Sequence, residues 1–294
     1  MTEVDKGKLN ADEFISNQNQ FQEQSLKSLD WDNKTQKFTE DVINLLNSPV
    51  TALPFDTQVK IILGWASSYA SKFVCVANVH MLMEAYWYPE LSSVLKNADL
   101  VTPDGMPLVW MMRLMGVCKQ DRVAGMDILL SLCQLASLQN IRIFFLGSEA
   151  TILEKMKTKL EHEFPELQIA GMESLPFRPL TSAEDEEIIQ KIHQSKAQVV
   201  LVSLGCPKQE YWMNEHKSRI QAVMVGLGGV FPVFAGIHKR PPLWVRSAGL
   251  EWFYRLIQEP RRLGSRYGKT IPPFIWLSLK QVLTAKYYSY KSHS

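Results

Sequence analysis

The sequence predicts an α/β protein in which a mostly parallel, doubly wound (Rossmann-like) sheet carries helices on both faces. From residue 38 onward, apolar runs of strand length alternate with segments whose apolar residues recur at i, i+3 and i+4. Such alternation is typical of parallel sheets with helical crossovers. Polar and glycine residues follow most of the apolar runs, which predicts a ligand crevice at the carboxyl edge of the sheet.

Bulk composition disfavours several classes of protein. The 294 residues are 46% hydrophobic and carry a formal net charge of +2, which suits one large domain and does not indicate nucleic-acid binding. Four cysteines without CxxC spacing are expected to be buried free thiols in a reducing compartment. Neither a signal peptide nor an apolar run of membrane-spanning length is recognised, so we expect a cytoplasmic protein.

Three regions are expected along the chain. Residues 1–37 are polar and predict a mobile extension, residues 38–258 form the α/β domain, and residues 259–294 form a basic, aromatic C-terminal helical appendage. The extension contains Asp30 and Asp32, a pair of the kind that can hold a metal ion. It lies in polar sequence rather than at the end of an apolar strand, so solvated acids are the better interpretation.

Six apolar runs are expected to be strands. They span residues 72–80, 98–104, 141–147, 167–174, 197–205 and 222–229. The last run leads into GLGGVF, which lacks the GxGxxG order of dinucleotide sites, and no GxxxxGK[ST] phosphate loop occurs. The first run is not followed by a glycine-rich turn, so oxidoreductases and methyltransferases of the doubly wound class are disfavoured.

Two charged residues stand beside turns of small residues. Asp104, in VTPDGM, is interpreted as a turn or helix-cap residue, as a general base at the mouth of the sheet, or as both at once. Arg122, in DRVAGMD, would either bind a phosphate with two hydrogen bonds or pair on the surface with Asp121 or Asp127.

The stretch SLGCPKQEYW follows an apolar run with residues that do not fill a core. It contains Pro207, Lys208, Gln209 and Glu210. Lys208 and Gln209 would either contact a ligand at the sheet edge or cap the following helix and face water. The histidines show no metal-ligand spacing, so no metal site is expected.

An ordered series of motifs spans residues 72–270: ANVH, ADLVTPDG, RVAGMD, FFLGS, SLGCPKQEYW, GLGGVF, KRPP and GLEWFYRLIQEPRR. Together their order and spacing resemble the WecG/TagA/CpsF glycosyltransferases, glycosyltransferase family 26. The resemblance implies an inverting, metal-independent transfer of a sugar of N-acetylmannosamine, N-acetylmannosaminuronate or glucose type. The donor would be a UDP-sugar and the acceptor a polyprenyl-diphosphate-linked sugar, on the inner face of the plasma membrane, in cell-surface polysaccharide synthesis without a cofactor.

The resemblance also implies roles for individual residues. Asp104 matches the proposed catalytic base, Arg122 the arginine of RVAG and Gln209 the glutamine of PKQE, and these three are the expected catalytic residues. The expected substrate-binding residues are Asn78, His80, Gly147, Pro207, Lys208, Glu210, Gly228, Gly229, Lys239, Arg240, Arg255, Arg261 and Arg262. The chain departs from the family pattern at Val76 and Pro232, where members often carry threonine and aspartate.

The C-terminal appendage mixes aromatic residues with lysines in IPPFIWLSLKQVLTAKYYSYK. This segment is expected either to lie on an anionic membrane surface or to pack on its own domain or on a second subunit of a homo-oligomer. A non-catalytic nucleotide-sugar-binding protein is the alternative function. Such a protein would retain PKQE and the glycines but would not need a base, so the intact Asp104 favours the enzyme.

Overall fold

A computed structural model describes residues 41–176 and 178–291 of the chain. The expected extension at residues 1–37, with Asp30 and Asp32, lies outside the described residues. Within these ranges six strands form one parallel sheet with helices around it, and a long helix ends the chain, which confirms the predicted α/β class. A two-stranded antiparallel hairpin precedes the sheet.

The described residues contain eight strands and twelve helices. The strands are β1 (Val42–Leu45), β2 (Ser48–Thr51), β3 (Lys72–Ala77), β4 (Leu100–Pro103), β5 (Ile143–Gly147), β6 (Ile169–Glu173), β7 (Val199–Ser203) and β8 (Val223–Gly226). The helices are α1 (Phe55–Ser67), α2 (Val79–Trp87), α3 (Pro89–Asn97), α4 (Met106–Leu114), α5 (Gly125–Gln139), α6 (Ala150–Glu163), α7 (Ser182–Gln194), α8 (Lys208–His216), α9 (Val230–Phe234), α10 (Leu243–Ser247), α11 (Glu251–Gln258) and α12 (Pro260–Lys291).

The parallel sheet has the strand order β4-β3-β8-β7-β5-β6. The chain adds β4 beside β3, crosses to β5 and β6 at the other edge, and returns through β7 to β8. β8 therefore lies between β3 and β7, and the carboxyl ends of all six strands open on one edge. Every residue of β7 and β8 is buried, as expected for inner parallel strands covered on both faces, and these strands read as continuous apolar runs.

Two groups of helices contact the sheet and one another. In the first group α1 contacts α5, and α9 contacts both α5 and α6. In the second group α3 contacts α2 and α8, while α12 contacts α2. Ile62 of α1 and Leu91 of α3 are fully buried, and burial of such a side chain contributes about 1.5–3 kcal/mol. Apolar packing therefore fixes the strands whose ends carry the polar residues.

The loops that follow β5 and β7 lie against each other at the carboxyl edge. The Ser148 amide donates to the Ser203 carbonyl across 2.9 Å. A Cβ on Gly147 would lie 2.5 Å from that same carbonyl oxygen, and Gly147 has a φ of +88°. Both observations require glycine, so Gly147 has a packing role here, and its expected contact with substrate stays a prediction.

Helix α12 packs one face on the domain and exposes the other. Phe274 and Val282 are buried in the core, and the Gln281 side chain hydrogen-bonds to the hairpin through the Leu46 amide and the Asn44 carbonyl. The opposite face exposes large apolar side chains, which are Ile275, Trp276, Leu279, Leu283 and Tyr287. The expected packing on its own domain is thus confirmed for one face. In the described ranges no helix combines the length and the hydropathy needed to cross a bilayer.

Two details differ from the sequence-based expectations. The β1–β2 hairpin is not among the predicted strands; its two turn residues, Leu46 and Asn47, both have positive φ angles, of 49° and 66°. Asparagine is common in such a turn, whereas leucine is not, so the turn signal is weak. All four cysteines are free, as expected, but Cys118 is exposed rather than buried.

Candidate active site

Asp104 follows β4 at the carboxyl edge of the sheet. Its backbone amide donates to the Ala77 carbonyl at the end of the neighbouring strand β3, across 2.7 Å. Gly105, with a φ of +110°, is the N-cap residue of α4, and no side chain caps that helix. The helix-cap interpretation of Asp104 is therefore wrong, and its carboxyl group lines a pocket instead.

The pocket lies between the sheet edge and the segment of chain that precedes α12. The space between its walls, part of it open to solvent, is roughly 540 Å³. Its lining comes from Asp104, the loop that leads into α5, the start of α9, residues 238–241, and α11. Four cationic side chains surround it, namely those of Arg122, Lys239, Arg240 and Arg255.

Two carboxylates hold Arg122. Its Nη1 donates to Oε2 of Glu251 across 2.7 Å, and its Nη2 lies 3.7 Å from Oδ2 of Asp127. Arg240 also donates to Asp127, and Arg246 Nη1 lies 4.0 Å from that carboxylate. Burial acts to lower the pKa of Arg122, but Glu251 and then Asp104 outweigh it and raise that pKa. Arg122 therefore stays charged, with Asp127 as its more distant partner.

Arg255 and Lys239 bring charges to the pocket that no protein group neutralises by direct contact. Within the described residues, neither side-chain cation makes a hydrogen bond or an ion pair. A Cβ on Gly229 would lie 3.0 Å from Nη2 of Arg255, so glycine at this position lets the guanidinium approach the backbone. Charge-assisted hydrogen bonds to phosphate or carboxylate are among the strongest in proteins, so these cations favour an anionic ligand.

The Asp104 carboxyl group is an unusually strong proton acceptor for an aspartate. Burial, followed by the negative charge of Glu251, raises the pKa of Asp104 to about 7, while Arg122 and Arg255 oppose the shift. A carboxyl group that titrates near neutral pH is matched to general acid–base catalysis under physiological conditions.

Gln209 and Glu210 lie behind the glycine turn that follows β8, and both are buried. Gln209 Nε2 donates to Glu210 Oε1 across 2.8 Å, while Cβ atoms on Gly226 and Gly228 would lie 2.9 and 3.2 Å from the Gln209 amide. Burial raises the pKa of Glu210 to about 7, although the hydrogen bond from Gln209 acts to lower it. The interpretation that Gln209 faces water is therefore wrong, whereas Lys208 is exposed as that interpretation expects.

Asn78 and His80 make local contacts around the start of α2. Asn78 Oδ1 accepts a hydrogen bond from the Met81 amide across 3.2 Å and so caps the helix. His80 Nδ1 lies 3.7 Å from Glu84 Oε1, and burial, followed by the charge of Arg266, lowers the pKa of His80 to about 4. The imidazole is therefore neutral at physiological pH.

The structure brings only part of the expected site together. Six expected residues line the pocket, namely Asp104, Arg122, Gly229, Lys239, Arg240 and Arg255. Gln209, Glu210 and Gly228 lie directly behind it. Seven others do not line it, namely Asn78, His80, Gly147, Pro207, Lys208, Arg261 and Arg262. Contacts of these residues with substrate stay predictions.

Sequence reasoning missed Glu251 as the main partner of Arg122, whereas Asp127 was one of the two partners expected for that arginine. Both lie inside motifs that carry the family resemblance, GLEW and RVAGMD. Because a partly buried arginine needs a counter-ion, the acidic residues of these motifs are the candidates that the sequence offers. Among residues 41–176 and 178–291, no three His, Cys, Asp or Glu side chains gather as metal ligands.

A parallel sheet with a carboxyl group of near-neutral pKa and unpaired cations at its carboxyl edge defines an α/β enzyme site for an anionic substrate. The chain belongs to the glycosyl transferase WecG/TagA/CpsF family, whose model matches residues 43–288, and it is a glycosyltransferase. The match confirms the resemblance carried by the motifs.

Three similar proteins share one name, N-acetylglucosaminyldiphosphoundecaprenol N-acetyl-beta-D-mannosaminyltransferase. The Bacillus spizizenii protein is 34% identical over 209 residues, which cover 71% of this chain and 79% of the relative. The Bacillus subtilis protein is 35% identical over 171 residues, covering 58% and 64%. The Staphylococcus aureus protein is 26% identical over 205 residues, covering 69% and 78%.

Proposed function

We propose that this protein transfers a sugar from a UDP-sugar to a polyprenyl-diphosphate-linked sugar, with inversion at the anomeric carbon and without a metal ion. The observation that carries the proposal is the Asp104 carboxyl group, whose pKa is about 7, in a pocket lined by four cationic side chains. The names of the relatives support N-acetylmannosamine as the sugar and a lipid-linked N-acetylglucosamine as the acceptor.

Asp104 acts as the general base in this mechanism. The ionised carboxylate takes the proton of the acceptor hydroxyl as that oxygen attacks the anomeric carbon from the face opposite the nucleotide. The bond between the anomeric carbon and the phosphate oxygen breaks in the same step, and UDP leaves with the electron pair. Base catalysis of this kind contributes about 10²–10⁴ in rate.

Cations of the pocket stabilise the leaving diphosphate. Arg255 and Lys239 support this role because their charges are not neutralised by direct contacts, while Arg122 has a guanidinium shared with carboxylates. Cations placed where negative charge develops stabilise the transition state of such a transfer. Arg262, at the start of α12, pairs with Glu259 of the pocket lining, which supports a place for Arg262 and its neighbour Arg261 at the edge of the same site.

Gln209 supports the site from behind the glycine turn. Its Oε1 atom is buried without a donor in the described residues and lies next to Gly228. A hydroxyl or amide group of the substrate that reaches this turn would supply the missing hydrogen bond. Buried acceptors without partners cost about 1–3 kcal/mol, so substrate contact at Gln209 would be favourable.

The exposed face of α12 fits a peripheral location on the inner face of the plasma membrane. Trp276, Leu279 and Leu283 form an apolar stripe, and Lys280 lies within it. Apolar side chains buried at the headgroup boundary and basic groups over anionic lipids act together in such attachments. This placement would bring the pocket close to a lipid-linked acceptor.

The proposal is tested by measuring UDP release from a panel of UDP-sugars with a short-chain lipid-diphosphate-N-acetylglucosamine acceptor, in EDTA. We expect turnover with UDP-N-acetylmannosamine and a product whose anomeric configuration, read by NMR, is inverted relative to the donor. Turnover that requires an added divalent cation, or a retained configuration, would contradict the mechanism. UDP binding without turnover of any donor would favour a non-catalytic nucleotide-sugar-binding protein.

A further inference from the structure

We propose that Glu251 is a positioning residue whose charge sets how strongly Arg122 binds the donor diphosphate and how readily Asp104 accepts a proton. This inference rests on the proposed function. Glu251 is the first residue of α11, and its carboxylate reaches into the pocket that Asp104 and Arg122 also line.

The contact between Glu251 and Arg122 is short and partly shielded from water. Glu251 Oε2 accepts from Arg122 Nη1 across 2.7 Å, and the two side chains are 31% and 14% exposed. Partly buried ion pairs are screened less by salt and water than exposed ones. Glu251 therefore neutralises much of the charge that Arg122 would otherwise present to a phosphate.

Asp127, the other carboxylate near Arg122, is shared among three arginines. Arg240 donates to it directly, Arg246 lies 4.0 Å away, and Arg122 lies 3.7 Å away. Among the described residues, Glu251 forms an ion pair with Arg122 alone, so a diphosphate that approaches Arg122 competes mainly with Glu251. Once the diphosphate has displaced Glu251 from Arg122, the unpaired Glu251 carboxylate repels the bound donor. The same repulsion favours the later departure of UDP.

The same charge acts on Asp104. Glu251 raises the pKa of Asp104, second only to burial, while Arg122 and Arg255 lower it. The remaining charged or titratable groups around the pocket are Asp127, His238, Lys239, Arg240 and Glu259. Without Glu251, only burial and Asp127 would oppose the arginines, and Asp104 would be a weaker base.

The test substitution is Glu251→Gln, which keeps the shape and a hydrogen-bond acceptor for Arg122 but removes the charge. We expect UDP, measured by calorimetry, to bind about 3- to 10-fold more tightly, the effect of one unit charge several ångströms away near a protein surface. We also expect the acidic limb of the kcat/KM profile to move to lower pH. If the ion pair were purely structural, its loss would shift neither the UDP affinity nor the acidic limb in these directions.

The matched control is Glu259→Gln. Glu259 also lines the pocket, but its carboxylate is held by Arg262 Nε at 2.6 Å. We expect this variant to leave the acidic limb where the wild type has it, because Glu259, unlike Glu251, is not among the charges that shift the pKa of Asp104. An equal shift in both variants would overturn the specific role of Glu251.

The inference is overturned if Glu251→Gln matches the wild type in both UDP affinity and pH profile, or binds UDP more weakly. If Glu251→Gln does not fold, Arg122→Gln leaves Glu251 unopposed beside Asp104, and the acidic limb should move to higher pH; an unmoved limb overturns the inference. A wild type that neither binds UDP nor turns over contradicts the proposed function itself. Failure of Glu251→Gln alone, with an active wild type, contradicts only the role of Glu251.

Discussion

Gln209 and Glu210, adjacent in the sequence, form a buried hydrogen bond in which Gln209 Nε2 donates to Glu210 Oε1 across 2.8 Å. Burial makes the protonated form of Glu210 the more stable one and raises its pKa to about 7, although hydrogen bonds from Gln209, Cys206 and the Glu210 amide act to lower that pKa. The motif PKQE therefore places an amide and a titratable carboxyl group side by side behind the active-site turn.

The first prediction concerns stability as a function of pH. The Glu210 pKa is about 7 in the folded chain against an ordinary value of 4.5. Because the folded chain binds this proton more tightly than the unfolded chain, proton binding at Glu210 contributes fully to the free energy of unfolding below pH 4.5. That contribution, on the order of 3 kcal/mol, is lost as pH rises through 7. Glu210→Gln should therefore raise the Tm, relative to wild type, increasingly from acidic to mildly alkaline pH. A constant difference across that range would show that Glu210 does not titrate in this window.

The second prediction concerns the glycine turn in front of Gln209. A Cβ on Gly226 would lie 2.8 Å from Met213 Cε and 2.9 Å from Gln209 Nε2. Gly226→Ala should lower stability by about 1–3 kcal/mol through overpacking and should lower kcat/KM because Gln209 is displaced. Gly264→Ala is the control, because a Cβ there meets no atom within 4 Å. Equal melting temperatures for wild type and Gly226→Ala would refute the close packing of this turn.

The third prediction concerns Arg255. Its guanidinium has no partner in the described residues and lies beside Gly229 at the pocket. Arg255→Met should weaken UDP binding by about 10- to 100-fold, because charge-assisted hydrogen bonds to phosphate are lost. Arg219→Met removes an arginine that pairs with Glu186 and does not line the pocket, and should leave UDP affinity unchanged. Calorimetry on the three proteins compares them directly, and an unchanged affinity in Arg255→Met would remove this residue from the site.

The fourth prediction concerns the outer face of α12. Leu279 and Leu283 are 53% and 67% exposed, so their replacement by glutamate should not change the Tm. The double substitution should reduce sedimentation with vesicles that contain anionic lipids, because it removes apolar area and adds negative charge. Leu138→Glu, at a site 62% exposed on α5, is the control for charge alone. Vesicle binding that falls equally in both variants would argue against α12 as the attachment surface.

The sequence predicts the strands of the central sheet well because their burial leaves a local signature. β7 is apolar throughout, since it lies between two other strands and is covered on both faces. The β1–β2 hairpin leaves no comparable signature. Its turn places Leu46 at a φ of 49°, a conformation that local preference disfavours and that the surrounding packing stabilises.

The site could be predicted only where its residues are local to strand ends. Asp104 follows β4 directly, so a rule about parallel sheets finds it. The pairing of Arg122 with Glu251 joins residues 129 positions apart, and no spacing in the sequence indicates it. The burial of Gln209 likewise depends on the fit between α8 and the turn after β8, which only tertiary structure shows.

The most direct test of the central claim is kcat/KM for UDP release as a function of pH, measured for wild type and Asp104→Asn. With a pKa of about 7, Asp104 is ionised above that pH, so the wild-type rate should rise with pH through about 7 and then level off. Asp104→Asn should be about 10²- to 10⁴-fold slower and should lose this rise, while still binding UDP. Wild-type rates in Asp104→Asn, with the same pH profile, would contradict the assignment of Asp104 as the catalytic base.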